Sequence, residues 1–282
     1  VTYRQMRPSQ VVAAIQALST VPPPDLVLLP TPDLAVYLAN EGKLRQLRDM
    51  PPRTTRLTTE HPLHWRQEVF TVSQDPAVFV IRSEAFEKGG EPRSRLELTR
   101  RLEQLEGRFD RRVGLVNIGI DSVGYGLAAQ DELRSPLFWR IATAFGASRV
   151  RIYDSTAELI DALARGDIDI GYNVAMTEAR AAIDGGAEIE MVVPEDYVIS
   201  FPWIGFVPSA AVNPEAAERL LAYVLSTSGQ PLLEASYMAV NESELAEIRL
   251  QFIALNPGLL VYLDPLKKSR LLNTWFQLVT DP

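Results

Sequence analysis

The sequence predicts an α/β fold with mostly parallel sheets, and two observations carry that prediction. First, short apolar runs typical of buried strands alternate with amphipathic helix patterns along most of the chain. Second, residues 149–182 read as strand, helix, strand and helix, with the strands at Val150–Tyr153 and Ile168–Tyr172. Strands joined in this way run parallel, and ligands bind beyond their carboxyl ends, where helix N-termini present free N–H groups.

Two extended segments, residues 69–81 and 191–208, indicate how the chain divides into lobes. They bracket a self-contained block of strands and helices. We therefore expect this block, residues 78–203, to be a second lobe inserted into a first lobe made of residues 1–77 and 204–282. The extended segments would be hinge strands joining two mostly parallel sheets, and a ligand would bind between the lobes.

The composition excludes several function classes. The chain has 282 residues and a formal net charge of −8, which disfavours binding to nucleic acid or to anionic membranes. It has no cysteine, which excludes disulfides, thiolate metal sites and cysteine nucleophiles. Its apolar runs are all shorter than the roughly 18 residues that a membrane-spanning helix needs.

Three local features are also predicted. Val1–Tyr3 reads as a short strand, and because the chain begins with Val we expect upstream residues, including a processed export signal, to precede it. A turn at residues 74–76 is expected to interrupt the first hinge segment. Residues 119–126 are glycine-rich and predict a turn before a helix that begins near Leu127.

The strand and helix repeat of residues 149–182 supplies four candidate ligand residues of the second lobe. Ser155 and Thr156 follow the first strand, and their hydroxyls could bind a carboxylate or phosphate beside helix N–H groups. Ser155 is also spaced from Glu158 as in a capping box, so it could be only a helix cap. Tyr172 and Asn173 follow the second strand, where the tyrosine is either a phenolic donor or part of the core.

Four more candidates lie elsewhere in the second lobe and at its border. Ser122 and Tyr125 belong to the glycine-rich segment, whose glycines would allow an anion to approach the backbone closely, although such segments are also common turns. Tyr197 could be a phenolic donor or an aromatic wall. Trp203 could be a wall of the ligand cleft or could pack at the hinge.

Thr31 is the candidate from the first lobe. It follows an apolar run and precedes Pro32, so it is expected to cap a helix, and its hydroxyl could also reach a ligand. The sequence predicts neither a metal site nor catalysis. Pro62 separates His61 from His64, and we find no nucleophile elbow, phosphate-binding loop or HExxH motif.

Several stretches of the chain resemble the type II periplasmic solute-binding proteins of ABC transporters. Residues 25–34 and 38–42 resemble the first-lobe strand and helix of that family. Asn213–Leu221 and Leu225–Gln230 are similar to its "NPEAA…LSxxGQ" helix. Further stretches resemble the branch related to ferric-ion and phosphoglycerate-regulatory binding proteins, which often accompany two-component sensor kinases: residues 124–131, 138–139, 171–174, 193–197 and 259–264.

The resemblance implies a two-lobed type II periplasmic-binding-protein fold that captures a small anionic solute, such as a carboxylate, a phosphate ester or a metal chelate. The solute would be delivered to the membrane permease of an ABC transporter. The protein would be periplasmic, soluble or lipid-anchored, monomeric and without a cofactor. The alternative is an extracytoplasmic sensing component that acts on a sensor histidine kinase without transport; a third hypothesis is an enzyme on the same fold.

Two departures from the family pattern bear on the ligand. The family normally has one more strand and helix before the strand that begins at Val1. In addition, its ferric-ion-binding members use adjacent tyrosines late in the chain, whereas Tyr237 stands alone here, which argues against iron binding.

Overall fold

The computed structural model describes most of the chain, namely residues 1–17, 20, 22–50, 63–87, 89–104 and 107–280. The helices of this part are α1 (Pro8–Ile15), α2 (Pro32–Asn40), α3 (Arg95–Gln104), α4 (Ser122–Arg134), α5 (Phe138–Ala147), α6 (Thr156–Ala164), α7 (Met176–Asp184), α8 (Pro214–Leu225), α9 (Gln230–Ala235), α10 (Glu242–Leu245) and α11 (Pro265–Thr280). The strands are β1 (Val27–Leu29), β2 (His64–Trp65), β3 (Val69–Arg82), β4 (Val113–Val116), β5 (Arg151–Tyr153), β6 (Ile170–Ala175), β7 (Ile189–Val192), β8 (Val198–Phe206) and β9 (Leu250–Phe252). His61 and Pro62 lie outside the described residues.

The chain divides into two compact units, and each is built from separated segments. Unit 1 consists of Val1–Gln74, Phe201–Glu242 and Ile253–Asp264, and unit 2 of Asp75–Ser200, Ser243–Phe252 and Pro265–Pro282. Strands β3 and β8 each begin in one unit and end in the other.

The predicted first lobe includes all of residues 204–282, whereas in the structure Ser243–Phe252 and the segment that holds the C-terminal helix group with unit 2. Helix α11 groups with unit 2 because its aromatic side chains pack on α5: the ring centroids of Trp275 and Phe138 are 5.3 Å apart. Local helix patterns do not reveal such a long-range contact, so the sequence could not assign this helix to a unit.

Unit 1 is built on the antiparallel pair of β1 and the C-terminal half of β8. Val27 lies opposite Phe206 and Leu29 opposite Ile204. One cluster of buried apolar side chains packs against Leu28 of this pair. Its members come from β3, from the segment after β8, and from helices α8 and α9, and include Phe70, Val72, Val207, Leu221 and Leu233. Burial of this surface stabilises the unit by the hydrophobic effect.

Unit 2 has a parallel centre. Strand β4 pairs in parallel with β5 on one side and β6 on the other, and β5 is the edge of the sheet. The sequence predicts mostly parallel sheets, but the structure also has several antiparallel pairs. Strands β6 and β7 both pair antiparallel with β3, whereas β8 and β9 are parallel. The long strand β3 accounts for two of these antiparallel pairs.

The expected turn at residues 74–76 is wrong, because β3 runs without interruption from Val69 to Arg82. The polar residues there are paired within the core. The buried Asp75 carboxylate accepts hydrogen bonds from the backbone N–H of Thr177, at 3.2 Å, and from its hydroxyl. A second expectation also fails, since Val1–Tyr3 is not a strand and the side chains of Val1 and Tyr3 are exposed.

Asp169, just before β6, joins two arginines of unit 2. Its Oδ1 lies 2.6 Å from Arg112 Nη2 and 3.1 Å from Arg82 Nη2. Burial alone would raise the pKa of Asp169, but hydrogen bonds and charge from both arginines lower it below the ordinary 3.8.

We expect Asp169→Asn to lower the free energy of unfolding by roughly 2 kcal/mol at neutral pH. A carboxyl whose pKa is lowered by folding contributes stability above its unfolded pKa and loses it as the pH falls through the folded pKa. The difference between wild type and variant should therefore shrink below about pH 4, as measured by denaturant unfolding at several pH values. A difference that stays constant with pH would contradict this account.

Candidate functional site

The carboxyl ends of β4 and β5 meet at one edge of unit 2, as expected for parallel neighbours. Val116 pairs with Tyr153 at the end of both strands. The next polar residues, Asn117 and Asp154, are therefore neighbours, and Asn117 Nδ2 donates to Asp154 Oδ1 at 3.2 Å. This is the edge at which the sequence predicts the second-lobe ligand residues.

Ser122 and Tyr125 are not in a turn, because α4 already begins at Ser122. Asp121 is the N-cap, and its Oδ1 accepts a hydrogen bond of 2.5 Å from the N–H of Gly124. The glycines misled the prediction because glycine is a poor helix former. The segment is thus a capped first turn and not a loop around an anion. Ser122 is half-buried there, while Tyr125 is buried with the Lys268 ammonium 4.6 Å from its ring centroid.

Ser155 forms the predicted helix cap. Its hydroxyl accepts a hydrogen bond of 3.2 Å from the N–H of Glu158, and Glu158 in turn accepts one from the N–H of Asp154. The neighbouring Thr156 hydroxyl is hydrogen-bonded to Glu178, in the first turn of α7. Both predicted hydroxyls are thus already used by groups of unit 2.

Four carboxylates lie at this edge, which we call the carboxylate-rich edge: those of Asp121, Asp154, Glu158 and Glu178. Burial raises the pKa of Asp121, although the N–H groups of Gly124 and Val123 act in the opposite direction. Glu178 is exposed in the first turn of α7 and accepts the hydrogen bond of Thr156. The edge therefore offers mainly hydrogen-bond acceptors.

Tyr172 and Asn173 lie within β6, which continues to Ala175 instead of ending at Tyr172 as predicted. Pairing with β3 shifts between Val174 opposite Val78 and Gly171 opposite Val80, so β6 has one extra residue at this point. The extra residue makes a β-bulge, and Asn173 has a left-handed φ of 53°. Neighbours in a regular strand point to opposite faces, whereas this bulge lets Tyr172 and Asn173 reach the same partners.

Those partners are Arg95 and Asp131, both of which are only 1% exposed. The Tyr172 hydroxyl donates to Asp131 Oδ2 at 3.0 Å and accepts from Arg95 Nε at 3.2 Å. The Asn173 amide does the same, donating to Asp131 at 3.2 Å and accepting from Arg95 at 3.3 Å. The Arg95 and Asp131 charges are themselves 3.4 Å apart. We call Arg95, Asp131, Tyr172, Asn173, Asp196 and Tyr197 the arginine network.

Tyr197 and Asp196 complete the arginine network. The Tyr197 hydroxyl donates to Asp131 Oδ1 at 2.6 Å, its carbonyl accepts from Arg95 Nη1 at 2.6 Å, and its ring lies 4.0 Å from the guanidinium carbon. Asp196 pairs with the same Nη1 at 3.4 Å. Tyr197, Asp196 and Asn173 are partly exposed, so they form the rim of this otherwise buried network.

The environment keeps Arg95 charged and the two phenols neutral. Burial alone would lower the pKa of Arg95, but Tyr172, Asp131, Tyr197 and Asp196 raise it. Burial and the nearby Asp131 carboxylate raise the pKa of Tyr172 and that of Tyr197. The phenols therefore act as hydrogen-bond donors to a carboxylate, which is the arrangement that satisfies a buried acid.

The sequence does not single out Arg95 or Asp131: residues 87–95 read as a Gly-, Pro- and charge-rich loop before a helix at 96–105, although α3 begins at Arg95, and Asp131 stands beside other charged residues. One signal was present. Arg95 is spaced three and seven residues from Leu98 and Leu102, so it falls on the buried face of α3, where an unpaired charge would be costly. A charged residue on the apolar face of a helix therefore indicates a buried ion pair.

Asn173 allows the bulge to be tested. We expect Asn173→Ala to be less stable than Asn173→Gly by about 1 kcal/mol, because only glycine adopts a left-handed φ without strain. Both variants lose the same amide, so their difference in free energy of unfolding reports the backbone alone. Equal stabilities would show that the left-handed conformation is not kept in solution.

Thr31 and Trp203 belong to unit 1, and each has a buried polar atom without a hydrogen-bond partner among the described residues: Oγ1 of Thr31 and Nε1 of Trp203. Thr31 is at the N-cap position of α2, but its hydroxyl makes no capping bond, contrary to the expectation, and it is only 2% exposed. Continuing the register of β1 and β8 places Trp203 opposite residue 30, next to Thr31. Thr31 therefore lies at the edge beyond the carboxyl end of β1, whereas the Trp203 side chain packs against the apolar cluster of unit 1, as that of Leu28 does.

The predicted site residues thus fall into three groups. Ser122, Ser155 and Thr156 lie at the carboxylate-rich edge of unit 2; Tyr172, Asn173 and Tyr197 join the arginine network; and Thr31 and Trp203 each have an unpartnered polar atom in unit 1. Tyr125 stands apart, with Lys268. In the described part of the chain, no helix is long and apolar enough to cross a membrane, and no cluster of three or more His, Asp and Glu side chains could hold a metal ion.

Comparison with known proteins gives a consistent result. A family model described as bacterial extracellular solute-binding protein matches residues 1–239. The fold resembles a substrate-binding protein of an ABC transporter from Agrobacterium tumefaciens, with 25% identity and a TM-score of 0.81, covering 96% of this chain and 83% of that one. A comparison with curated proteins finds no match.

Two further structures share the fold at lower identity. One is the periplasmic binding protein AfuA from Actinobacillus pleuropneumoniae with fructose-6-phosphate bound, with 17% identity and a TM-score of 0.72, covering 99% of this chain and 89% of that one. The other is iron-bound HitA from Pseudomonas aeruginosa, with 14% identity and a TM-score of 0.65, covering 98% of this chain and 89% of that one.

Proposed function

Because this chain belongs to the family of bacterial extracellular solute-binding proteins, which serve ABC transporters, we propose that it captures a small anionic solute in the periplasm and delivers it to a membrane permease. We further propose that it acts by binding and release, without turnover, as its relatives in this family are binding proteins. Two points stay predictions: the closure of two lobes on the solute, and the alternative role in a two-component sensor. A sensor-kinase gene adjacent to the gene of this protein would favour the sensor role.

The observation that carries the proposal is the presence of two unpartnered, buried polar atoms in unit 1, one of them at its edge beyond β1. A buried polar group without a partner costs free energy, so native proteins rarely keep one without a use. Here the Thr31 hydroxyl lies at the N-terminus of α2, and the Trp203 indole N–H is a second unpartnered donor of unit 1. A hydroxyl, an indole N–H and a helix N-terminus suit the oxygen atoms of a carboxylate or phosphate.

The predicted closure of the two lobes would also bring the solute to the carboxylates at the edge of unit 2. A solute that meets Asp154 or Glu178 would need hydrogen-bond donors, such as hydroxyl or ammonium groups, in addition to its anionic group. Sugar phosphates and phosphoglycerate have both kinds of group, and fructose-6-phosphate bound to AfuA is one example from the same fold. These compounds are therefore tested first, followed by tricarboxylates and ferric iron.

We expect Thr31→Val and Trp203→Phe each to weaken solute binding by about 1–3 kcal/mol, since each removes a donor that the solute would satisfy. Thr31→Val should leave the solute-free protein as stable as wild type, because the removed hydroxyl had no partner, whereas Trp203→Phe also removes packing against the apolar cluster of unit 1 and should lower its stability. Calorimetric titration with each solute and thermal unfolding without solute measure the two effects.

Thr227→Val, at an exposed threonine of unit 1, is the matched control and should change neither quantity. Failure of all these solutes to bind wild type would count against the anionic class. Normal binding in both Thr31→Val and Trp203→Phe would remove this edge from the site.

A further inference from the structure

An open pocket in unit 2 has no role in the proposed solute site. It lies along the edge strand β5 and beside the residues that precede β4 and β5, its lining includes none of the four carboxylates of the carboxylate-rich edge, and it has a volume of about 780 Å³. Four arginines contribute to its lining, together with Tyr153 and Asp167: Arg111, Arg149, Arg151 and Arg165. Such a concentration of positive charge is unexpected in a chain with a net charge of −8.

Two of the four guanidinium groups have carboxylate partners. Arg149 binds Asp110 through two nitrogen atoms, with Nε 2.6 Å from Oδ1, and Arg165 Nε lies 3.0 Å from Asp167 Oδ2. Arg111 and Arg151 form no ion pair with a carboxylate of the described residues. The pocket therefore keeps an excess of positive charge after its internal pairs are counted.

The inner wall of the pocket has two unpartnered polar atoms. Arg151 Nε and the Tyr153 hydroxyl are buried and have no hydrogen-bond partner in the described part of the protein. Both residues are on β5, two positions apart, so their side chains stand on the same face of this strand. A buried donor without an acceptor is a reason to expect an acceptor from outside the chain.

The backbone positions two of the arginines at a cost. Arg111 has a φ of 55° and Arg149 a φ of 46°, values that side chains other than glycine and asparagine rarely adopt. Both residues lie just before a strand, β4 or β5, and place their guanidinium groups at the pocket. Their backbone conformations are ones that the surrounding structure must stabilise.

We propose that this pocket binds a small multivalent oxyanion, with several phosphate or carboxylate groups, at a site separate from the solute edge. The planar guanidinium forms paired hydrogen bonds with carboxylate and phosphate oxygens. The pocket volume is in the range of small-molecule sites. The oxyanion could be free in solution or could be the headgroup phosphate of an anionic lipid, and the experiment separates these two sources.

The test uses the full chain and two probes, pyrophosphate and citrate, in calorimetric titration at low salt. We expect both Arg111→Gln and Arg151→Gln to weaken binding at least about tenfold, as expected when a charge-assisted hydrogen bond is lost. Arg111 is exposed, so its variant should fold even if Arg151→Gln does not. Arg140→Gln, which breaks the surface pair with Glu103, is the matched control and should bind like wild type.

Co-sedimentation with vesicles containing cardiolipin, whose headgroup carries two phosphates, against phosphatidylcholine vesicles, tests the lipid source. Vesicle binding that Arg111→Gln abolishes, without binding of free probes, assigns the pocket to lipid headgroups. The proposal is overturned if neither probes nor vesicles bind, or if the pocket variants bind like Arg140→Gln. Thr31→Val should keep wild-type binding of pyrophosphate, so this result does not depend on the proposed solute site.

Discussion

Replacing Arg95 by methionine should lower the free energy of unfolding by about 3–5 kcal/mol, because it leaves the Asp131 carboxylate buried without its cation. Methionine keeps most of the apolar length of the side chain, so little of the loss would come from a cavity. Asp131 would keep its hydrogen bonds from Tyr172, Asn173 and Tyr197, which sets the lower end of the range. Urea unfolding followed by circular dichroism measures the effect.

Arg100→Met is the matched control, because Arg100 is an exposed arginine on the same helix. Its effect should stay within about 0.5 kcal/mol, as is usual for surface substitutions. If Arg95→Met were equally mild, the arginine network would not hold unit 2 together in solution.

A double-mutant cycle then separates the ion pair from the rest of the network. The double variant Arg95→Met and Asp131→Leu should cost less than the sum of the two single variants, since neither charge is left alone. Additive effects would show that the two residues act independently, in conflict with their 3.4 Å separation.

The arginine network also shows what the sequence could and could not predict. The polar residues after the second strand of residues 149–182 were recognised as important, because strand and helix periodicity is a local signal. Their partners are distant: Tyr172 is 77 residues from Arg95 and 41 from Asp131. The bulge that brings Tyr172 and Asn173 to the same partners depends on pairing with β3, which a single strand pattern does not contain.

Thr31 illustrates a different limit. Sequence reasoning placed it correctly at the start of a helix, because the residue before Pro32 follows a short apolar run. Whether its hydroxyl caps the helix depends on side-chain orientation, which is decided by tertiary packing and not by residue type. In the structure the cap is not made, and the prediction of a ligand contact at Thr31 rests on that free hydroxyl.

The stretch that most specifically indicated the family, Leu225–Gln230, has a structural role in unit 1. The Ser226 hydroxyl donates to the Tyr223 carbonyl at 2.6 Å and accepts from the N–H of Gly229 at 3.2 Å. The Gln230 side-chain amide donates to the carbonyl of Val72 at 3.2 Å and to that of Val224 at 2.9 Å. The motif thus closes the corner between α8 and α9 and attaches it to β3.

Gly229→Ala should therefore destabilise unit 1 by about 2–3 kcal/mol, near the upper end of the usual cost of overpacking. A methyl group at this position would lie 2.9 Å from the Cα of Val224 and closer still to the carbonyl oxygen of Tyr223. Both are backbone atoms, so no side chain can rotate to make room. Denaturant unfolding of Gly229→Ala should show the loss, whereas Ser228→Ala, at the exposed neighbour, should stay within about 0.5 kcal/mol of wild type. A mild effect of Gly229→Ala would mean that the corner can shift, and that its glycine is kept for a reason other than the space available.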